Sequence, residues 1–128
     1  MKPTPGIYRY GSPRTSGEGQ RIGVSRHVPR GVRREDWASR GYFDLWLPLL
    51  SPSADLVKEY LADEITWAVF SRRYRTEMKK RECSQMIDLL AMMSREATFC
   101  LGCFCEDETR CHRSVLQELI AQRRKLLK

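Results

Sequence analysis

The stretch ATFCLGC at residues 97–103 constrains the fold more than any other part of the sequence. It is a short apolar run that lacks the polar positions of an amphipathic helix, and it lies between Glu96 and the acidic residues 106–108. A run of this kind is typical of a β-strand that is buried on both faces, as strands are in parallel sheets covered by helices. The stretch therefore predicts a strand of an α/β fold.

The remaining pattern alternates between strands and helices, which is the arrangement that a parallel sheet requires. Further strands are predicted at residues 7–10 and 21–25, and helices at residues 52–61, 64–80, 84–94 and 112–126. At 128 residues the chain is long enough to bury a core. We therefore expect a single α/β domain over residues 1–128, with a mostly parallel sheet, flanking helices and flexible residues 1–6.

Caps and apolar spacing predict where the helices begin and which faces they bury. The expected N-cap residues are Ser51, Asp63 and Ser84, with Pro52 in the first helical position. The inward face of the second helix is predicted to carry Trp67, Phe70, Tyr74 and Met78, and that of the third Met86, Leu89, Leu90 and Met93. Such stripes are typical of core packing, so we assign them no binding role.

Most of the positive charge lies in the first forty residues. The net charge is +7, and residues 1–40 carry nine Lys and Arg against three Asp and Glu, whereas residues 41–128 carry fourteen against thirteen. Four arginines lie in a segment where Pro29 and Gly31 exclude regular structure: Arg26, Arg30, Arg33 and Arg34. A basic loop of this kind favours an anionic partner such as phosphate, a nucleotide or nucleic acid, although solvated arginines that maintain solubility give the same pattern.

The segment LGCFCEDETRCHRS at residues 101–114 contains three of the five cysteines and one of the two histidines. Its spacing does not match two anion-binding loops. The tyrosine-phosphatase loop needs five residues between cysteine and arginine, whereas Cys105 and Cys103 are separated from Arg110 by four and six. The rhodanese loop has the length found at Cys105, but residues 106–108 would place carboxylates where that loop surrounds an anion with backbone N–H groups.

Apart from an ordinary core role for Cys103 and Cys105, two alternatives remain open for these cysteines. The pattern C-x-C-x5-C-H could supply the zinc ligands Cys103, Cys105, Cys111 and His112. Against zinc, the neighbours Cys111 and His112 would have to face one point at a helix start, and the usual C-x2-C pairs are lacking. A redox role is the second alternative, because Cys105 and Cys111 bracket a loop that can close a disulfide and a helix N-terminus lowers the pKa of a thiol.

The basic loop and the cysteine-rich segment are predicted to meet in one site. Each follows a predicted strand, and ligands of parallel sheets bind outside the carboxyl ends of the strands. The predicted site residues are the anion-binding Arg26, Arg30 and Arg113, the possible nucleophiles Cys105 and Cys111, and the acid or base His112. The expected partner is a phosphate-bearing small molecule. A nucleic-acid-binding module is the alternative. The sequence does not identify a cofactor, and it leads us to assign no metal.

Three stretches together resemble the YeaO-like proteins, an uncharacterised family grouped as a domain of unknown function. They are RIGVSRHVPRGVRRED, WLPLLSPSADLVKEYLADEITWAVFSRRYRTEM and CFCEDETRCHRSVLQELI. The matching positions are Arg26, Pro29, Arg30, Gly31, Trp46, Leu47, Trp67, Phe70, Tyr74, Cys111, His112 and Arg113. The resemblance implies a compact α/β domain and adds weight to a shared site of Arg26, Arg30 and the Cys-His-Arg triplet, but it supplies no reaction.

The chain departs from that family around its first site arginine. The family usually has an aspartate before this arginine and a Leu-Trp pair after it, whereas here the positions hold Ser25, His27 and Val28. If the aspartate is a catalytic carboxylate in the family, this chain lacks it.

Hydropathy and cysteine content predict a cytoplasmic protein without a membrane partner. The apolar stretches are shorter than the ~20 residues of a membrane span, and the N-terminus lacks the apolar core of a secretory signal. An odd number of cysteines favours free thiols in a reducing compartment. Of these, Cys83 and Cys100 are predicted to be ordinary buried residues. The sequence does not indicate an oligomeric state.

Overall fold

Within residues 2–127, which the computed structural model describes, four short strands form a parallel sheet in the order β1-β4-β2-β3. The strands are β1 (Gly6–Arg9), β2 (Gln20–Gly23), β3 (Leu45–Trp46) and β4 (Phe99–Cys103). The helices are α1 (Ala54–Leu61), α2 (Trp67–Glu77), α3 (Arg81–Met93) and α4 (His112–Leu126), and short 3-10 helices lie at Arg34–Asp36, Pro48–Leu50 and Glu108–Arg110. The predicted α/β fold with a mostly parallel sheet and flanking helices is confirmed.

Three helix starts differ from the sequence-based prediction. The hydroxyl of Ser53, rather than that of Ser51, caps α1, because Ser51 bonds back to the preceding 3-10 helix. Thr66 caps α2 in place of Asp63, which takes a left-handed conformation with a φ of 58°. Helix α3 begins three residues before Ser84, so this serine lies inside the helix. The helices themselves occur where the apolar spacing predicts them.

The larger core lies between the helices and one face of the sheet. Phe99 and Leu101 of β4 pack there against residues from α1 to α4. The predicted stripe of α2 is largely confirmed, with these residues buried: Phe70, Tyr74 and Met78. The predicted inward face of α3 is wrong at Leu89 and Met93, which are 44% and 39% exposed. The residues that α3 buries are Cys83, Ile87, Leu90 and Ala91.

An aromatic layer, rather than a helix, covers the opposite face of the sheet. Its buried members are Tyr8, Tyr10, Phe43 and Cys100, with Val28, Trp37, Tyr42 and Trp46 packed against them. The sheet approaches these rings closely at two glycines. A Cβ atom at Gly102 would lie 2.2 Å from the Tyr8 ring, and one at Gly23 would lie 2.4 Å from Phe43. Strand β4 is therefore buried on both faces, as its apolar run predicts.

A buried ion pair secures the loop before β2 to this aromatic layer. Arg21 is fully buried, and its Nε atom lies 2.7 Å from a carboxylate oxygen of Glu18. The Arg21 guanidinium also donates to the Gly41 carbonyl at 2.8 Å and lies 4.3 Å from the centre of the Tyr8 ring. The hydrogen bond from Arg21 is the main reason that the pKa of Glu18 is lowered to about 2. The pair therefore contributes to the stability of the fold.

The chain start contacts the rest of the fold at two points. The Lys2 N–H donates to the Arg95 carbonyl at 3.1 Å, and the Pro5 carbonyl accepts from the Gln117 side chain at 2.8 Å. The flexibility predicted for residues 1–6 stays a prediction, and Met1 lies outside the described residues. None of the helices in residues 2–127 combines the length and the apolar character of a membrane-spanning segment.

Candidate functional site at the carboxyl edge of the sheet

The two central strands, β2 and β4, end at the same edge of the sheet, and both predicted site segments begin there. In β2 and β4, Gly23 pairs with Gly102, so the chain leaves both strands at the same level. Ser25 and Arg26 follow β2, and Cys105 follows β4. Helix α4 starts at this same edge, since its first residue bonds to the Val24 carbonyl. The sequence-distant segments are therefore neighbours in space.

A cavity of about 280 Å³, here called the edge cavity, lies between these segments. Its rim includes Arg26 and Arg110, both exposed, and its floor includes Cys103, Cys111 and His112. Its walls are mostly apolar and come from residues Val57, Tyr60, Phe70 and Phe104. The edge cavity thus combines a basic rim, apolar walls and a floor of thiol and imidazole groups.

His112 is held in one orientation by a hydrogen bond to the backbone. It is only 4% exposed, and its Nε2 atom lies 2.7 Å from the Val24 carbonyl oxygen. Because a carbonyl oxygen only accepts, Nε2 carries a hydrogen and is the donor in this bond. That Nδ1 atom lies 3.6 Å from Cys111 Sγ. The second ring nitrogen of His112 therefore faces the thiol of Cys111.

The side chains of the neighbours Cys111 and His112 are directed at the same point. The sequence argument that adjacent residues at a helix start do not face one point, which spoke against a zinc site, therefore does not hold. Cys111 is the N-cap of α4 and has extended backbone angles, with φ −134° and ψ 148°. His112 is the first helical residue. Because the two backbones differ, adjacent side chains converge instead of fanning out around a helix.

The cysteines of the cavity form a compact group, here called the thiol cluster (Cys103, Cys105 and Cys111). Cys103 and Cys111 are buried, whereas Cys105 is exposed. The sulfur atoms of Cys103 and Cys105 lie 3.9 Å apart, and all five cysteines of the chain are free thiols. Hydrogen bonds from Cys103 and Cys105 lower the pKa of Cys111, and the same contacts together with burial raise the pKa of Cys103. One sulfur of the cluster is therefore predisposed to carry negative charge.

Arg113 stands behind the thiol cluster and not in the edge cavity. It is fully buried, and its Nε donates to Cys111 Sγ at 3.3 Å. Its two other nitrogens donate to the carbonyls of Cys105, at 2.8 Å, and Tyr8. The anion-binding role predicted for Arg113 does not fit this burial, since its donors are directed at protein groups. We assign it a positioning role instead.

Arg30 lies outside the edge cavity. It lines a separate surface hollow of about 710 Å³, here called the basic hollow, together with Pro29, Arg33 and Trp46. His27 lines both concavities, so the two are adjacent. Of the predicted site residues, the structure thus groups Arg26 with Cys105, Cys111 and His112, but it does not bring Arg30 to them. Arg110 was missed by the sequence reasoning, although it directly precedes Cys111.

The comparison with protein families matches almost the whole chain. The model described as the Active DUF488-N3 subclade covers residues 5–124. The chain belongs to this family. Among curated proteins, the uncharacterized protein YeaO of Escherichia coli (strain K12) is 31% identical over 70 residues, which are 55% of this chain and 57% of YeaO. No solved structure matches the chain. The resemblance to YeaO-like proteins is confirmed.

Ser25, where this DUF488-N3 protein departs from the YeaO-like pattern, is part of the edge cavity. Ser25 stands at the position where the resemblance to YeaO-like proteins implies an aspartate. Its hydroxyl is 2.7 Å from the Tyr10 hydroxyl and donates to the His27 carbonyl at 2.8 Å. This DUF488-N3 member therefore has a neutral, hydrogen-bonded side chain at that point of the cavity.

Proposed function

We propose that this DUF488-N3 protein binds a small molecule carrying a phosphate or similar anionic group in the edge cavity and acts on it there. One observation carries the proposal: a single cavity is lined by Arg26 and Arg110 and by the thiol cluster with His112. The arginines alone would indicate only a charged loop, and the thiol cluster alone would indicate only buried cysteines. Their convergence supports a site in which an anion is held next to chemically reactive side chains.

The rim and the walls of the edge cavity suit different parts of one ligand. Arg26 and Arg110 are exposed at the rim, where guanidinium groups form charge-assisted hydrogen bonds with phosphate oxygens. Tyr60, Phe70 and Phe104 offer aromatic surface to an apolar or planar part of the ligand. The volume of about 280 Å³ favours a molecule no larger than a mononucleotide. Adenosine monophosphate (AMP) is therefore a suitable probe.

The floor of the edge cavity supports a reaction rather than binding alone. Thiols and imidazoles are the groups that most often act as nucleophiles, acids, bases or metal ligands in enzymes. Here Cys105, Cys111 and His112 line the cavity together. The description of the family as an active subclade agrees with a chemical role. The cysteines, all free thiols, also favour a reducing, cytosolic setting for this activity.

Calorimetric titration with AMP and inorganic phosphate tests the proposal. Arg26→Ala and Arg110→Ala each remove one charge-assisted donor, so we expect affinity to fall about tenfold or more in each. Arg40→Ala is the matched control, since Arg40 is also exposed but does not line the edge cavity. Equal affinity in the wild type and in both rim variants would contradict the proposed site.

The basic hollow favours nucleic-acid binding as a second candidate function. Arg30, Arg33 and the half-buried Trp46 line one concave surface, and arginines with an aromatic ring are a combination that binds phosphates and stacks bases. This candidate predicts affinity for single-stranded nucleic acid that decreases steeply with salt and is weakened by Arg30→Ala. It also predicts no effect of Arg110→Ala, so a salt titration of both variants separates the two functions.

A further inference from the structure

Three buried side chains at the floor of the edge cavity form a set of metal-ligand type. Sulfur atoms of Cys103 and Cys111 and a ring nitrogen of His112 lie within 4.8 Å of one another. They come from two different elements, the end of β4 and the start of α4, so their convergence is a product of the fold and not of one helical turn. A set of two thiolates and an imidazole binds zinc in preference to metals that favour oxygen ligands.

The spacing of these atoms is close to that of a tetrahedral zinc site. With zinc at about 2.3 Å from sulfur and about 2.0 Å from nitrogen, a sulfur and a nitrogen ligand lie about 3.6 Å apart. The observed distance from Cys111 Sγ to His112 Nδ1 is 3.6 Å. Because all three ligand atoms already lie within 4.8 Å, closing the set around an ion needs side-chain shifts of about 1 Å.

The imidazole of His112 is already oriented as a metal ligand. Metal-binding histidines characteristically donate their second ring N–H to a carbonyl or carboxylate, which fixes the tautomer and the direction of the ring. Here Nε2 donates to the Val24 carbonyl at 2.7 Å, and Nδ1 faces Cys111 Sγ at 3.6 Å. The edge of the Tyr74 ring, centred 5.5 Å from the imidazole, packs against it on the core side.

A second supporting contact lies behind the sulfur ligand. The buried Arg113 donates from Nε to Cys111 Sγ at 3.3 Å, and its other nitrogens are fixed by backbone carbonyls. Hydrogen-bond donors of this kind orient metal-bound thiolates and offset their charge. This role explains why Arg113 is buried next to a sulfur atom although it has no carboxylate partner.

From these contacts we propose that Cys103, Cys111 and His112 bind one zinc ion at the floor of the edge cavity. All three residues line the edge cavity, so we expect a fourth coordination position to face it. Zinc sites with three protein ligands and a position open to water or substrate are typical of catalysis, whereas closed four-ligand sites are structural. The zinc ion would therefore lie next to the anion held by Arg26 and Arg110. Only this proximity of ion and anion rests on the proposed function; the metal site itself does not.

Metal analysis of the full-length protein tests the zinc site directly. Protein produced with zinc in the medium and purified without chelator is expected to hold about one zinc per chain. Exchange with Co²⁺ is expected to give the near-ultraviolet charge-transfer band of cobalt–thiolate bonds. A zinc content below about a tenth per chain together with no such band on Co²⁺ addition would overturn the site.

Cysteine variants assign the ligands. Cys103→Ser is expected to lose the zinc, whereas Cys83→Ser, which alters an equally buried cysteine in α3, is expected to keep it. Cys105→Ser is also expected to keep it, since Cys105 is exposed and outside the three-ligand set. Retention of zinc in Cys103→Ser, or its loss in Cys105→Ser, would overturn the assignment. If Cys103→Ser does not fold, the wild-type zinc and cobalt measurements decide the question alone.

Zinc binding and anion binding are measured separately. Arg26→Ala is expected to retain full zinc while losing affinity for AMP. A protein that holds zinc but does not bind AMP would contradict only the proposed function, and one that binds AMP without zinc would contradict only the metal site.

Discussion

Arg113 connects three parts of the site through one guanidinium group. It bonds to the Cys111 sulfur and to the carbonyls of Cys105 and Tyr8, and it is fully buried. Arg26 has the same chemistry but is exposed at the rim of the edge cavity. At the scale of single residues, burial therefore decides whether the donors of an arginine bond to protein groups or face the solvent, and the sequence does not display that difference.

Replacing Arg113 is expected to cost stability, in contrast to replacing Arg26. Arg113→Ala leaves buried carbonyls without donors and opens a void, so we expect a loss of about 3 kcal/mol or more in the free energy of unfolding. Arg26→Ala should change it by less than about 0.5 kcal/mol. Urea denaturation of both variants measures this, and near-wild-type stability of Arg113→Ala would contradict the positioning role.

Glu18 should make the stability of the protein depend on pH. Its carboxylate accepts hydrogen bonds from buried Arg21, which lower the pKa of Glu18 from 4.5 to about 2. Because the folded pKa is lowered, the stabilisation is complete above the unfolded pKa and is lost as pH falls from 4.5 to about 2. Glu18→Gln should therefore be less stable than wild type by about 3 kcal/mol at pH 7.

The difference between wild type and Glu18→Gln should shrink toward pH 2. Unfolding curves recorded across this range provide the measurement. A difference in the free energy of unfolding that stays constant with pH would show that the Glu18 carboxylate does not stabilise the fold through its charge.

At the scale of elements, the sequence predicts those strands and helices whose burial determines which residues they contain. Strand β4 is recognisable because burial on both faces requires a run of apolar residues. Strand β3 has only two residues, too few to show any alternation. The inward face of α3 was misassigned because the helix also exposes apolar residues, Leu89, Met92 and Met93, so periodicity alone does not distinguish its sides.

The centre of β4 requires a residue without a side chain at Gly102. A Cβ atom there would lie 2.2 Å from the Tyr8 ring, which is fixed by a hydrogen bond to the Tyr42 carbonyl. We expect Gly102→Ala to destabilise the protein by about 1–3 kcal/mol through this overlap. Gly6→Ala in β1 is the control, since no atom lies within 4 Å of its Cβ position. Equal melting temperatures for the two variants would contradict the packing described here.

At the scale of the whole molecule, the edge cavity is assembled from segments far apart in the sequence. The meeting of the Arg26 and His112 segments could be predicted, since parallel strands end at one edge of a sheet. The course of the loop beyond β2 could not, so Arg30 was placed with them although it lines the basic hollow. The wall supplied by α1 was also missed, because tertiary packing decides which helix covers a strand end.

The central claim is that an anion held at Arg26 lies directly over the thiol cluster, and alkylation of Cys105 tests it most directly. Cys105 is the exposed thiol of the edge cavity, so its modification by iodoacetamide can be followed by mass spectrometry. The account predicts that AMP, at the concentration that just saturates the wild type, slows alkylation of Cys105 much more in the wild type than in Arg26→Ala. Unchanged alkylation of Cys105 in wild-type protein saturated with AMP would contradict it.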